Sequence, residues 1–199
     1  MHKRSIILTC LSIFVTVAML AGCAGMAPAP TAQNFKAPVV TLSHVELENY
    51  WGWWYYSKKV EPTKGKAGDY GAPINLAFIF QVHNPNEYPV RMERLQFTMG
   101  FDGFDLNTVF SNEAMWIPAG KTNEIRLHSL SDARQALLSL MVTGGFKLKE
   151  QGISPWDALE KWWTEIPEFT FTIHVKEGTA IFNADGLMKS VTFNFAFPE

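Results

Sequence analysis

Thiols are nearly absent from this sequence. Its 199 residues contain two cysteines, Cys10 and Cys23, both at the N-terminal end. A domain built from the remainder has no cysteine for a disulfide, a thiolate nucleophile or a structural zinc site. Its stability must come from a hydrophobic core, and the length suits one domain with a sizeable core. Charge is also scarce: 18% of residues are charged and the formal net charge is −2, which gives no electrostatic reason to bind nucleic acid. Histidines are few, and His44, His83, His128 and His174 stand at no metal-ligand spacing. A Gly-x-Ser-x-Gly elbow, a Walker loop and a dinucleotide fingerprint are all missing. Lys64 and Lys66, beside Gly65 and Gly68, lack the strand and helix context of a phosphate cradle. Acids such as Asp102, Asp105, Asp157 and Glu160 read as solvated carboxylates. The expectation is a chain without catalytic residues, metal or cofactor.

The N-terminus is more explicit. Met1, His2, Lys3 and Arg4 form a basic start ahead of the apolar run from Ser5 to Leu20, the order of a secretory signal. The run is short for a bilayer-spanning helix, which needs about 20 apolar residues. Leu20-Ala21-Gly22-Cys23 follows at once and resembles the bacterial lipobox. That resemblance implies removal of residues 1–22, diacylglycerol on the Cys23 thiol and acylation of its new amine. Dual acylation gives stable membrane attachment where one chain does not. Ala24 and Gly25 lack the aspartate that retains enterobacterial lipoproteins at the inner membrane, so the resemblance favours an outer-membrane anchor with the domain facing the periplasm. Residues 23–37, carrying Pro28, Pro30 and the single charge Lys36, read as the lipidated cysteine and a flexible tether. The domain is expected over residues 38–199.

Period two dominates that domain. Ile74, Leu76, Phe78, Phe80 and Val82 alternate with Asn75, Ala77, Ile79, Gln81 and His83, as in a strand with one face in a core. The same pattern predicts strands at Leu95 to Phe101, Phe169 to Val175 and Val191 to Phe197. Weaker candidates are Val39 to Glu48, Glu124 to Ser129, Thr179 to Ala184 and part of Tyr50 to Val60.

Two segments follow helical spacing. Between Ser131 and Val142 the apolar positions Ala133, Ala136, Leu137, Leu140 and Met141 form one stripe, with Ser131 as cap and Gly144 and Gly145 as the stop. Ser154-Pro155-Trp156-Asp157 opens a second helix, with a capping serine, proline at the first helical position and an acid in the first turn. It runs through Leu159, Trp162 and Trp163 and closes at Pro167. Seven or eight strands with two short helices predict a mainly β, antiparallel sandwich with helical insertions.

Asn84-Pro85-Asn86 follows the strand ending at His83, and Tyr88-Pro89-Val90, the strand Leu95 to Phe101 and Ile117-Pro118-Ala119-Gly120 come next in order. With the opening strand Pro38 to Val45, this succession resembles the late embryogenesis abundant type 2 family, or water stress and hypersensitive response domain. The resemblance spans about Pro38 to Ser129. It implies an immunoglobulin- or fibronectin-III-like sandwich and a non-enzymatic protective role in desiccation, freezing or envelope stress. The implied partners are membranes, lipids, envelope proteins or stress-denatured clients. The residues themselves are turn formers: Asn84 and Asn86 can bond their own backbone and Pro85 pre-sets a dihedral. The chain departs from the family pattern in the long aromatic segment Asn49 to Pro73 and in the tryptophan-rich second helix.

Within that segment Tyr50-Trp51-Gly52-Trp53-Trp54-Tyr55-Tyr56 is a candidate interaction surface, because one strand face cannot bury all its rings. Core packing, a membrane-interface belt flanked by Lys58 and Lys59, and a stacking platform for a sugar or apolar ligand are the three readings. A packed sheet interface favours the protective module. A continuous apolar cavity lined by Phe78, Phe80, Phe171 and Phe193 favours carriage of an apolar ligand or lipid.

Overall fold

A computed structural model of the chain describes residues 28–53 and 71–198. Cys23 and its leader, Trp54, Tyr55 and Tyr56, Lys58 and Lys59, and residues 63–70 lie outside the described residues.

The chain folds as a mainly β, antiparallel sandwich. One sheet has the order β1-β2-β6, from Val39–Tyr50, Ile74–His83 and Thr122–Ser131. The other has the order β4-β3-β7-β8, from Phe104–Ser111, Val90–Phe101, Ile173–Ala184 and Leu187–Phe197, with the short β5 (Met115–Ile117) also paired to β3. Between the sheets, Phe78 and Phe97 meet edge-on at 4.8 Å, and Phe80 lies 5.4 Å from Phe97 and 5.6 Å from Phe193. Alternation therefore places the strand faces as the sequence predicts. Ile79 and Ala77 are nevertheless buried on the opposite face of β2. Their neighbours His44, Glu46, Arg126 and His128 on β1 and β6 cover them with long side chains, whose stems shield apolar surface while the charged ends stay in water.

Several expected boundaries move. β7 is one strand, because a bulge between Val175 and Gly178 interrupts its register with β8 without ending the pairing. It begins at Ile173, since Phe169 takes a left-handed conformation (φ 48°) at the end of a 3-10 turn and Phe171 is buried in the loop that follows. β4 and β5 are strands that the alternation did not predict. The ordered domain also starts before Pro38. Phe35 is buried, and the Phe35 N–H donates to the Thr31 carbonyl (3.0 Å), so residues 31–37 dock on the sandwich instead of belonging to a free tether.

Both helical insertions leave the same end of the sandwich. Helix α1 (Ala133–Ser139) is capped by Asp132 and not by Ser131, which stays paired in β6. One Asp132 Oδ1 accepts from the N–H groups of Arg134 (2.8 Å) and Gln135 (2.9 Å), satisfying donors of the first turn. The helix does not stop at the glycine pair. A π turn over Leu140–Gly144 leads into α2 (Gly145–Glu150). Gly144 has a negative φ and lies against Phe104, where a Cβ would stand 2.7 Å from Cδ1, so its glycine serves a close approach and not a C-cap. Helix α3 (Pro155–Glu165) is capped by Ser154, whose Oγ accepts from the Trp156 N–H at 3.2 Å. It buries Leu159, Trp162 and Trp163 as predicted.

Candidate interaction surfaces

At the end of the sandwich opposite the helices, Asn84, Pro85 and Asn86 join three segments of chain. Asn84 is fully buried. Its Nδ2 donates to the carbonyls of Tyr88 (2.8 Å), Ile117 (3.1 Å) and Pro118 (3.2 Å), and its Oδ1 accepts from the Asn86 N–H (3.0 Å) and Nδ2 (2.8 Å). Backbone bonds from the Asn84 N–H to Lys121 O and from the Gly120 N–H to Asn86 O complete the junction. The Asn-Pro-Asn and Ile-Pro-Ala-Gly motifs are thus two halves of one turn cluster. Asn86 in addition grips the backbone of Lys36, accepting from its N–H at 2.7 Å and donating to its carbonyl at 2.8 Å. Tyr88 Oη donates to Asn34 Oδ1 (2.9 Å), its ring lies 6.5 Å from that of Phe35, and Lys189 Nζ stands over the Phe35 ring. Burial pushes the Tyr88 phenol above its usual range. These side chains hold the N-terminal segment to the domain.

On the outer face of the three-stranded sheet, Arg126 donates to Glu46 (2.6 Å) and Glu48 (3.0 Å), His44 pairs with Glu46 (3.0 Å) and His128 with Glu48 (2.8 Å). Hydrogen bonds from Arg126 and then His44 hold the Glu46 carboxyl below its ordinary range. His83 bonds Thr122. His174 is separate, beside Lys176, and its pKa is lowered first by burial and then by the Lys176 charge. Among the described residues, no cluster of three or more His, Cys, Asp or Glu is arranged to hold a metal ion.

The helical end carries the tryptophans. Trp163 Nε1 donates to Ala72 O (2.7 Å), the Tyr50 hydroxyl donates to Trp163 O, and Trp162 Nε1 donates to Asp102 Oδ2 (3.0 Å). Asp102 also receives Lys161 Nζ (3.0 Å) and the Thr172 N–H (3.3 Å). Burial raises its pKa, but these three hydrogen bonds outweigh burial and hold it below the ordinary aspartate value. Of the expected aromatic surface, Trp51 is 44% exposed while Trp53 is half-buried and packs on the core. The run is therefore divided between surface and core where it is described. A cleft of ≈ 310 Å³ opens beside Asp102, floored by Phe104, Leu148, Ala158 and Trp162.

One apolar surface was not expected. Leu138, Met141, Val142 and Phe146 are exposed on the helical arm, Val142 to 84% and Phe146 to 89%. Met141 thus points away from the stripe in which the spacing placed it. The signal was present in the sequence: apolar residues fall on both sides of this helix, and one side alone can face the core.

No family model matches the chain, and no curated protein matches it. Among solved structures it is similar to a protein from Archaeoglobus fulgidus at 11% identity, covering 78% of this chain and 94% of that one, with a TM-score of 0.41. A structural-genomics target designated SoR45 is 9% identical over 80% and 84% of the two chains, with a TM-score of 0.43. A candidate ApaA protein from Bordetella pertussis is 14% identical over 81% and 94%, with a TM-score of 0.37. Likeness at this level carries no argument about what the chain does.

Proposed function

We propose that this chain is a lipoprotein anchored through an acylated Cys23, with the outer membrane as its site and a domain that acts by contact and not by catalysis. The supporting observation is the filled sheet interface. Phe78, Phe80 and Phe97 are fully buried and pack ring against ring, filling the centre of the space between the sheets with side chains. The order of motifs shared with the late embryogenesis abundant type 2 family adds protection in desiccation, freezing or envelope stress. Membranes, envelope proteins and stress-denatured clients are the partners. A second reading, binding of a small apolar ligand, draws on the apolar-floored cleft beside Trp162.

The anchor is tested by Cys23→Ser, which is expected to remove the lipid mass and move the protein out of the membrane fraction. Unchanged fractionation with unchanged mass sinks the anchor. Contact function is tested by freeze–thaw protection of a labile enzyme, and native mass spectrometry of the purified protein that finds a copurifying small molecule would instead support carriage.

A further inference from the structure

The exposed face of the helical arm fits one kind of partner. Leu138, Met141 and Val142 stand at i, i+3 and i+4 and share a helix face, and Phe146 follows one turn on. All four are more than half exposed. From Leu138 to the end of the arm the charged residues are Lys147, whose Nζ is turned back onto the Gly103 carbonyl (3.3 Å) and the Phe104 ring (4.5 Å), and the exposed Lys149 and Glu150. An exposed apolar face with the solvent-facing Lys149 beside it describes a helix that lies in a membrane interface, with that ammonium group complementary to an anionic headgroup. Exposed Trp51 belongs to the same end of the domain. Its N–H bonds the Pro73 carbonyl, and Gly71 O accepts from the Ala133 N–H that starts the arm. Interfacial tryptophan suits a headgroup zone.

We infer that the face formed by Leu138, Met141, Val142 and Phe146 docks on an anionic phospholipid leaflet. The inference rests on the membrane-contact reading above and names its face and lipid class. An anchor at Cys23 would keep this face at high local concentration near a leaflet. Geometry then fixes the posture. The arm starts at the end of β2 opposite the Asn84 cluster, and ten residues of strand at about 3.3 Å each put these ends roughly 30 Å apart. The chain from Cys23 to the docked Thr31 reaches at most roughly 26–29 Å. A domain standing on its tether holds the arm off the membrane, whereas one reclining along the leaflet brings tether and arm down together.

The test uses residues 28–199, which contain every strand and core residue described and omit the leader and Cys23, whose apolar run and lipid would bind vesicles themselves. Flotation with phosphatidylethanolamine–phosphatidylglycerol vesicles is expected to carry the protein up, less so in high salt or with phosphatidylcholine alone. The pair Val142→Glu and Phe146→Glu lies on open surface and is expected to leave the melting temperature unchanged while lowering the bound fraction at least about tenfold. Lys149→Glu is expected to weaken binding to the anionic vesicles only. Absence of flotation overturns the inference, as does equal flotation of the double variant. So does an unmodified domain that self-associates and becomes monomeric in the double variant, which assigns the face to a second copy. Because this polypeptide lacks Cys23, failure here leaves the lipid anchor and the freeze–thaw result standing or falling on their own measurements.

Discussion

Replacing Asn84 by alanine removes five hydrogen bonds around one buried amide. The Tyr88, Ile117 and Pro118 carbonyls lose a donor and the Asn86 N–H and Nδ2 lose an acceptor. Each intact bond contributes only about 0.5–1.5 kcal/mol net, but each buried polar group left without a partner costs about 1–3 kcal/mol. Asn84 Nδ2 has two hydrogens for three carbonyls, so two carbonyls and the Asn86 N–H are the groups left bare, and the expected loss is at least about 3 kcal/mol. That is a large share of the roughly 5–15 kcal/mol that holds a domain together. Asn123 supplies the control, since its amide donates to the Trp116 carbonyl near the surface, and Asn123→Ala should cost no more than about 1 kcal/mol. Urea denaturation with a common m-value measures the difference. Asn84→Asp sharpens the case: at neutral pH it faces three carbonyls with a carboxylate and should be at least as damaging, and acid should partly restore it because a protonated carboxyl can donate. A loss for Asn84→Ala within about 1 kcal/mol of the control would refute the claim that this residue organises the junction. Proteolysis within residues 31–36 should quicken in the same variant, since Asn86 holds Lys36 and is itself positioned by Asn84.

Three further outcomes follow from the same structure. Phe80→Ala, on the inner face of β2, should cost about 3–5 kcal/mol, and Gln81→Ala, whose side chain donates to exposed Glu124, about 0.5 kcal/mol or less; equal losses would reverse the strand phase. Asp102 ties Trp162, Lys161 and Thr172 together with its pKa held below the ordinary aspartate value. Its contribution to stability is therefore fully present above the unfolded-state pKa near 4 and is lost as the pH falls through the lower folded-state value. Asp102→Asn should flatten that part of the acid denaturation curve, and an unchanged acid limb would remove Asp102 from the account. His174, with its pKa also lowered, works in the same direction at higher pH: the folded state resists protonation, so stability falls as the pH drops below the ordinary histidine value near 6.5, and His174→Gln should remove that dependence.

Local periodicity and local turn chemistry could be read along the chain. Alternation placed Phe78, Phe80 and Phe97 in the core, because successive side chains of a strand must point to opposite faces. Ser154 and Pro155 marked the start of α3 because a serine oxygen and a pre-set φ satisfy the first turn wherever the helix packs. β4 was not predicted, although its local cue is Asp102-Gly103, whose positive φ values of 46° and 86° make the two-residue hairpin that this dipeptide favours. The irregular register beyond Met99 broke the alternation that would otherwise have shown the strand. Features that rest on contact between distant residues emerged when the chain folded. Gly144 and Gly145 read locally as a stop, yet the ring of Phe104 on a neighbouring strand needs the space of Gly144, so the helix continues. That continuation carries Phe146 into solvent and completes an exposed apolar face together with Met141. Asn84 and Asn86 read as a strand-ending turn, which they are, but their grip on Lys36 joins residues fifty positions apart in the chain. A pairing at that separation is set by the closing of the whole sandwich, and no local pattern in the sequence encodes it.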